Sequence, residues 1–192
     1  MPSRSRSSTG SSAPGRDAPA APLVNVLETP RLRLRHLHAG DSAFVLALLN
    51  DPSWLRYIGD RGVRTLADGE RYIEDGPVAM YAREGFGLWL VERKADGEPL
   101  GICGLIRREG LADVDLGFAF LPQFRGQRYA HEAAGATLRH ATDVLGLARI
   151  VAITVADNLA SCGLLERLGF RFERMIRRRP DDDELKLYAF GA

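Results

Sequence analysis

Apolar and polar residues alternate from Asp115 to Phe120, with Leu116, Phe118 and Phe120 on one side and Asp115, Gly117 and Ala119 on the other. This predicts a half-buried strand that Pro122 ends. After the turn Gln123–Arg128 the period changes, and Ala130, Ala133, Ala134, Leu138, Ala141 and Leu145 recur at helical spacing. The unit therefore reads strand, loop, helix.

Upstream, Leu32, Leu34 and Leu37 alternate with basic residues, which predicts a first strand over Arg31–Leu37. Asp41 is placed to cap a helix carrying Phe44, Val45, Leu46, Leu48 and Leu49, and Asn50-Asp51-Pro52 is expected to end it. Thr65 with Asp68 resembles a capping box for a helix through Tyr72 and Ile73. Gly76-Pro77 is expected to break that helix, with a short helical turn over Val78–Arg83 beyond it. Phe86–Glu92 and Pro99–Ile106 are rich in strand formers, with Asp96-Gly97 as a hairpin turn. Together with Asp113–Leu121 they suggest an antiparallel meander. Arg149–Ala156 is apolar almost throughout, the pattern of a strand covered on both faces. A short helix over Asn158–Leu168 ends at Gly169, and Phe170–Ile176 with Glu184–Phe190 closes the chain as a hairpin.

Composition narrows the class. Residues 1–22 are built from Ser, Arg, Ala, Pro and Gly without apolar periodicity, so a disordered tail is expected there and a single domain over 23–192. No apolar core of a secretory leader stands in the tail, and no apolar run approaches the ~20 residues needed to span a bilayer. Hydrophobic residues at 45% and charged residues at 27% are those of an ordinary globular protein. A net charge of +1 gives no general reason to expect nucleic acid as a partner. Cys103 and Cys162 lie in a strand and a helix interior, which favours a reducing, cytoplasmic setting over a disulfide framework.

The chemistry starts at the loop before the long helix. The first turn of a helix has N–H groups without internal partners and the positive end of the macrodipole, so the loop is a ready site for a pyrophosphate. Gly126 lets a ligand approach the main chain, and Arg125 and Arg128 add charge.

This segment resembles the acetyl-coenzyme A motif of the GNAT N-acetyltransferases: Gln or Arg, two residues, Gly, one residue, then Gly or Ala. Gln123 and Gly126 fit, while Arg128 stands at the last glycine position. The run from Arg125 to Ala133 is similar to that of the RimJ/RimL-like branch, as is the opening Glu28–Arg35. A second block, Asn158–Ser161 running into Leu168-Gly169-Phe170, falls at the distance the family would give it.

The resemblance implies an α/β GNAT-like domain, a twisted mixed sheet with helices on both faces and two strands splaying at the acetyl-CoA site. It implies that backbone N–H groups of Gly126, Gln127, Arg128, Tyr129 and Ala130 take the pyrophosphate, with Arg125 and Arg128 as side-chain supplements. Main-chain groups of Phe118, Phe120 and Leu121 would take the pantetheine arm, and Asn158 its amide. Asp115 is the candidate base for the amine, competing with a reading as an exposed edge acid. Many relatives carry a Tyr where this chain has Leu165; Ser161 is the candidate substitute for protonating the thiolate, competing with a plain helix-face residue. Arg128 is expected to be the first helical residue, where a side chain is tolerated. Further candidates for the base are Asp113, His131 and Glu132, the last two expected on the helix surface.

The implied function is acetylation of a primary amine, such as a protein N-terminus, by direct attack in a ternary complex without a metal. A modest base suits an α-amine, with a pKa near ~8, better than a lysine near ~10.4. Small-molecule amines are the enzymatic alternative, and a non-catalytic acyl-CoA binding module is the alternative of another class. The chain is expected to act as a monomer or a homodimer.

Overall fold

The computed structural model describes residues 24–179 and 182–191, so the expected tail over 1–22 lies outside the described residues. One eight-stranded sheet runs through it in the order β1 (Asn25–Glu28), β2 (Leu32–Arg35), β3 (Leu88–Arg93), β4 (Pro99–Ile106), β5 (Val114–Phe120), β6 (Arg149–Val155), β8 (Leu185–Gly191), β7 (Arg171–Ile176). Every neighbouring pair is antiparallel except β5 and β6, which are parallel. The expected meander and closing hairpin are both present, and the parallel pair makes the sheet mixed, as expected.

Helices cover both faces. On one, α5 (Tyr129–Asp143) and α6 (Leu159–Arg167) pack their Ala133, Ala134, Leu138 and Leu165 against Trp89, Leu105, Leu116 and Phe120. On the other, α1 (Ser42–Leu49), α2 (Pro52–Tyr57) and α3 (Leu66–Ile73) bury Val45, Leu48, Trp54 and Ile73 against Leu90 and Ile102. The alternation along β5 thus delivers Phe118 and Phe120 to the first face and Asp115 and Ala119 to the second.

Four local expectations change. β1 precedes the expected first strand and is too short to carry a readable alternation. Pro52 does not simply stop a helix: Asp51 accepts from the Ser53 N–H at 3.1 Å and Pro52 is the first residue of α2, where its missing N–H costs nothing. Nor does Pro77 break the chain of helices. A π turn, Glu74–Val78, accommodates it and leads directly into α4 (Ala79–Glu84). Asp41 does not cap α1; its carboxylate takes both ends of the buried Arg35 guanidinium at 2.8 Å, while Arg35 Nε reaches Glu92 at 2.6 Å. By contrast the Thr65–Asp68 capping box is complete in both directions.

Candidate active site

The parallel pairing of β5 with β6 covers only Val114↔Ile150 and Asp115↔Val151. Beyond Asp115 the two strands part. β6 stays paired with β8 along its whole length, and β5 with β4 from Asp115 to Phe120, so the opening has one free edge on each side. Leu121 N–H donates to the Leu100 carbonyl at 3.0 Å, which fixes the ladder's alternation and turns the peptide groups of Phe118 and Phe120 away from β4, into the gap. The same bond spends the N–H of Leu121, so that residue does not offer the donor expected of it.

Asp115 stands where the strands separate. Continuing the parallel ladder would give the Ile153 N–H to the Leu116 carbonyl; instead Asp115 Oδ1 takes it at 3.2 Å. Its other oxygen accepts from Arg108 Nε at 2.6 Å. The side chain is 1% exposed, so the reading as an exposed edge acid is overturned. Burial pushes the Asp115 carboxyl upward, and the charge and hydrogen bond of Arg108 oppose that push without cancelling it.

The loop after β5 opens on the same gap. Gly126 has φ 75°, and a Cβ there would meet nothing within 4 Å, which leaves room for a ligand against the main chain. No acceptor among the described residues takes the N–H groups from Gly126 to His131, so the mouth of α5 presents a row of open donors. Arg128 is not the first helical residue. It is the N-cap, at φ 64°, the only positive-φ residue besides glycines among the described residues. This is the angle the family glycine would supply, and here an arginine adopts it with its side chain at the cleft.

The cleft joining these features has a volume of about 1150 Å³, at the upper end of ligand pockets. Gly126, Asn158 and Ser161 border one part of it, and Trp54, Tyr72 and Met80 the other. A sequence model of the acetyltransferase (GNAT) domain matches residues 31–171. The chain belongs to the GNAT acetyltransferase family. Acetyl-CoA-dependent acetylation of amines is general to that family.

Among its relatives, YkkB of Bacillus subtilis is 30% identical over 159 residues, covering 79% of this chain and 88% of YkkB. The uncharacterized N-acetyltransferase YoaA of the same organism is 28% identical over 159 residues, covering 81% and 88%. The fold is shared with the ribosomal L7/L12 α-N-protein acetyltransferase RimL, at TM-score 0.75 and 16% identity over 92% of this chain and 98% of RimL. RimL in complex with coenzyme A superposes with TM-score 0.73 at 18% identity, over 88% and 97%.

In this GNAT domain the expected site residues divide by what their side chains already hold. Arg125 is turned back: its Nε donates to the Phe120 carbonyl at 2.9 Å and its terminal nitrogen to Asp51 at 2.8 Å, so the guanidinium braces the loop. Gln127 likewise folds onto the Gln123 carbonyl at 3.0 Å. Tyr129 is buried, with the Arg31 guanidinium 4.4 Å above its ring, and Ala130 packs on the α5 core. For Gln127, Tyr129 and Ala130 only the backbone is free to bind. Asn158 caps α6 by accepting the Ser161 N–H at 3.1 Å, which leaves its amide nitrogen without a protein acceptor among the described residues. Ser161 and Leu165 both border the cleft, Leu165 as a core side chain at 1% exposure.

His131 is exposed and borders the cleft, Glu132 is partly buried, and Asp113 pairs with Arg149 at 3.0 Å away from it. Glu132 takes Thr29 Oγ1 at 2.6 Å, Arg31 N–H at 3.0 Å and Arg31 Nε at 2.7 Å, tying the Thr29-Pro30-Arg31 segment to the start of α5. Sequence reasoning missed Arg108 as the partner of Asp115. Its only trace was an arginine seven positions upstream across a hairpin.

Proposed function

We propose that this protein is a member of the RimJ/RimL-like branch, a single domain over 23–192, that moves the acetyl group of acetyl-CoA to a primary amine by direct attack in a ternary complex. The parted β5 and β6 strands beside the open N–H groups of α5 carry this reading. The open donors suit a pyrophosphate and the exposed strand edges suit the amide-bearing pantetheine arm. The Phe118 N–H is poised to stabilise negative charge on the thioester oxygen. Asp115, its carboxyl raised by burial, accepts the proton from the ammonium, directly or through one water. The amine forms its bond to the carbonyl carbon, the carbon–sulfur bond breaks, the nitrogen releases its second proton to solvent, and the leaving thiolate takes a proton from the Ser161 hydroxyl, which solvent restores. An α-amine, such as a protein N-terminus, fits this single buried acid better than a lysine does. Two buried, unpaired cysteines fit a cytoplasmic setting.

The absence of a phenol at Leu165 favours one competing reading, an acyl-CoA binding module without turnover. Thiol release from acetyl-CoA with a panel of amines separates the two. Acceptor-dependent release that falls by about 10²–10⁴-fold in Asp115→Asn supports the transferase. Tight acetyl-CoA binding with no acceptor-dependent release supports the module and removes the transferase.

A further inference from the structure

The charges that border the cleft are unequally neutralised. Of its carboxylates, Asp115 is held by Arg108 at 2.6 Å and Asp51 by Arg125 at 2.8 Å. Neither is left as a free counter-ion for a cationic substrate. Arg61, Arg128 and Arg167 also border the cleft and form no ion pair among the described residues. Arg128 stands at the mouth of α5 and Arg167 on α6, both on the side of the open N–H groups. Arg61 is different. It lies between α2 and α3, across the sheet from α5, on the face that carries Asp115.

Two neighbours sharpen its meaning. Asp60, the acid next to it in sequence, is held by Arg64, so Arg61 keeps its charge for something else. Tyr72 reaches the same part of the cleft from α3, and its phenol has no hydrogen-bond partner among the described residues. Burial pushes that phenol upward, against the nearby charges of Arg61 and Arg108, so it remains a donor at neutral pH. A guanidinium and a phenol O–H facing one pocket, with no uncommitted carboxylate there, make a receptor for an oxyanion.

Resting on the acetyltransferase reading above, we infer that the acceptor is a primary amine that itself carries a carboxylate, held by Arg61 and Tyr72 while its amine faces Asp115. The carboxylate comes either from a free amino acid or from an acidic side chain beside a peptide N-terminus. Beyond Asp115, which the reacting amine itself faces, the further cationic groups of polyamines and aminoglycosides find no uncommitted carboxylate in this half of the cleft, and they are poor acceptors. Arg61 is thus a specificity-determining residue, acting through the far end of the substrate.

The test uses the full chain, acetyl-CoA and matched acceptors: amino acids against their amides, peptides with Asp against Asn at the second position, and spermidine. The expected result is a kcat/KM for at least one acid about 10- to 100-fold above its neutral twin, the range of a charge-assisted hydrogen bond. In Arg61→Ala the acid-to-amide ratio falls toward unity, through KM more than kcat, and Tyr72→Phe lowers it by a smaller factor. Arg61 is exposed, so its loss leaves the core intact. The free amino acids and the peptide pairs show which source supplies the carboxylate. Amides or spermidine turned over as well as the acids overturn the inference while leaving the transferase intact, as does an unchanged ratio in Arg61→Ala. No turnover with any amine removes the transferase and the inference together.

Discussion

Replacing Arg128 by glycine separates what its backbone costs from what its side chain contributes. At φ 64° an L-residue pays roughly 1–2 kcal/mol relative to its right-handed alternatives. Glycine removes that strain but returns about 0.4–1 kcal/mol through the greater freedom of its unfolded chain. The balance favours Arg128→Gly by about 0.5–1 kcal/mol, which for a chain of this size raises Tm by about 1–4 °C. Arg128→Ala keeps the strained angle and is expected near the parent Tm. Both variants lose the guanidinium at the cleft mouth, an exposed contact to phosphate of about 0.2–1 kcal/mol, so acetyl-CoA should bind about 1.5- to 5-fold more weakly in each. Thermal unfolding without ligand gives the first quantity, since ligand would shift Tm by mass action, and calorimetry gives the second. A glycine variant melting at or below the alanine variant refutes the strain argument. A Kd unchanged or tighter in both refutes the phosphate contact.

Asn158→Asp keeps an oxygen to cap α6 and loses the amide nitrogen; unfolding should be nearly unchanged while acetyl-CoA Kd rises about 10-fold, and an unchanged Kd by calorimetry would reduce Asn158 to a cap. Arg108→Met removes the charge and hydrogen bond that lower the Asp115 carboxyl, leaving burial to raise it further, so the acid limb of the kcat/KM profile should move to higher pH. If Asp115 only holds the strands apart, that limb will stay in place.

What the sequence made legible was local. Thr65 and Asp68 meet within one helical turn, Asp96-Gly97 turns a hairpin, and Asn158 caps the helix it precedes; each can be read within a few residues. The parted strands were legible only through the family resemblance, because no residue pattern marks where a parallel ladder stops. What escaped reading depends on tertiary contact. Arg35, Asp41 and Glu92 are charged residues that look solvated until β2, β3 and the turn before α1 close around them. Glu132 meets Thr29 across 103 residues of chain, and its helical neighbours give no sign of it. Pro52 and Pro77 misled for a related reason, since a proline forbids a hydrogen bond without saying whether the chain stops, restarts or widens its turn.

The short seam at Val114 and Asp115 makes the sheet two plates with one hinge between them. Helix α5 is riveted to the first plate through its contacts with β1, β2, β4 and β5, while α6 rides on β6 in the second. A molecule spanning from the α5 mouth to Asn158 therefore stitches one plate to the other. Breathing along that seam, felt by hydrogen exchange at Leu116 and Val151, is the motion such a guest would quieten, so stiffness itself becomes a reporter of loading.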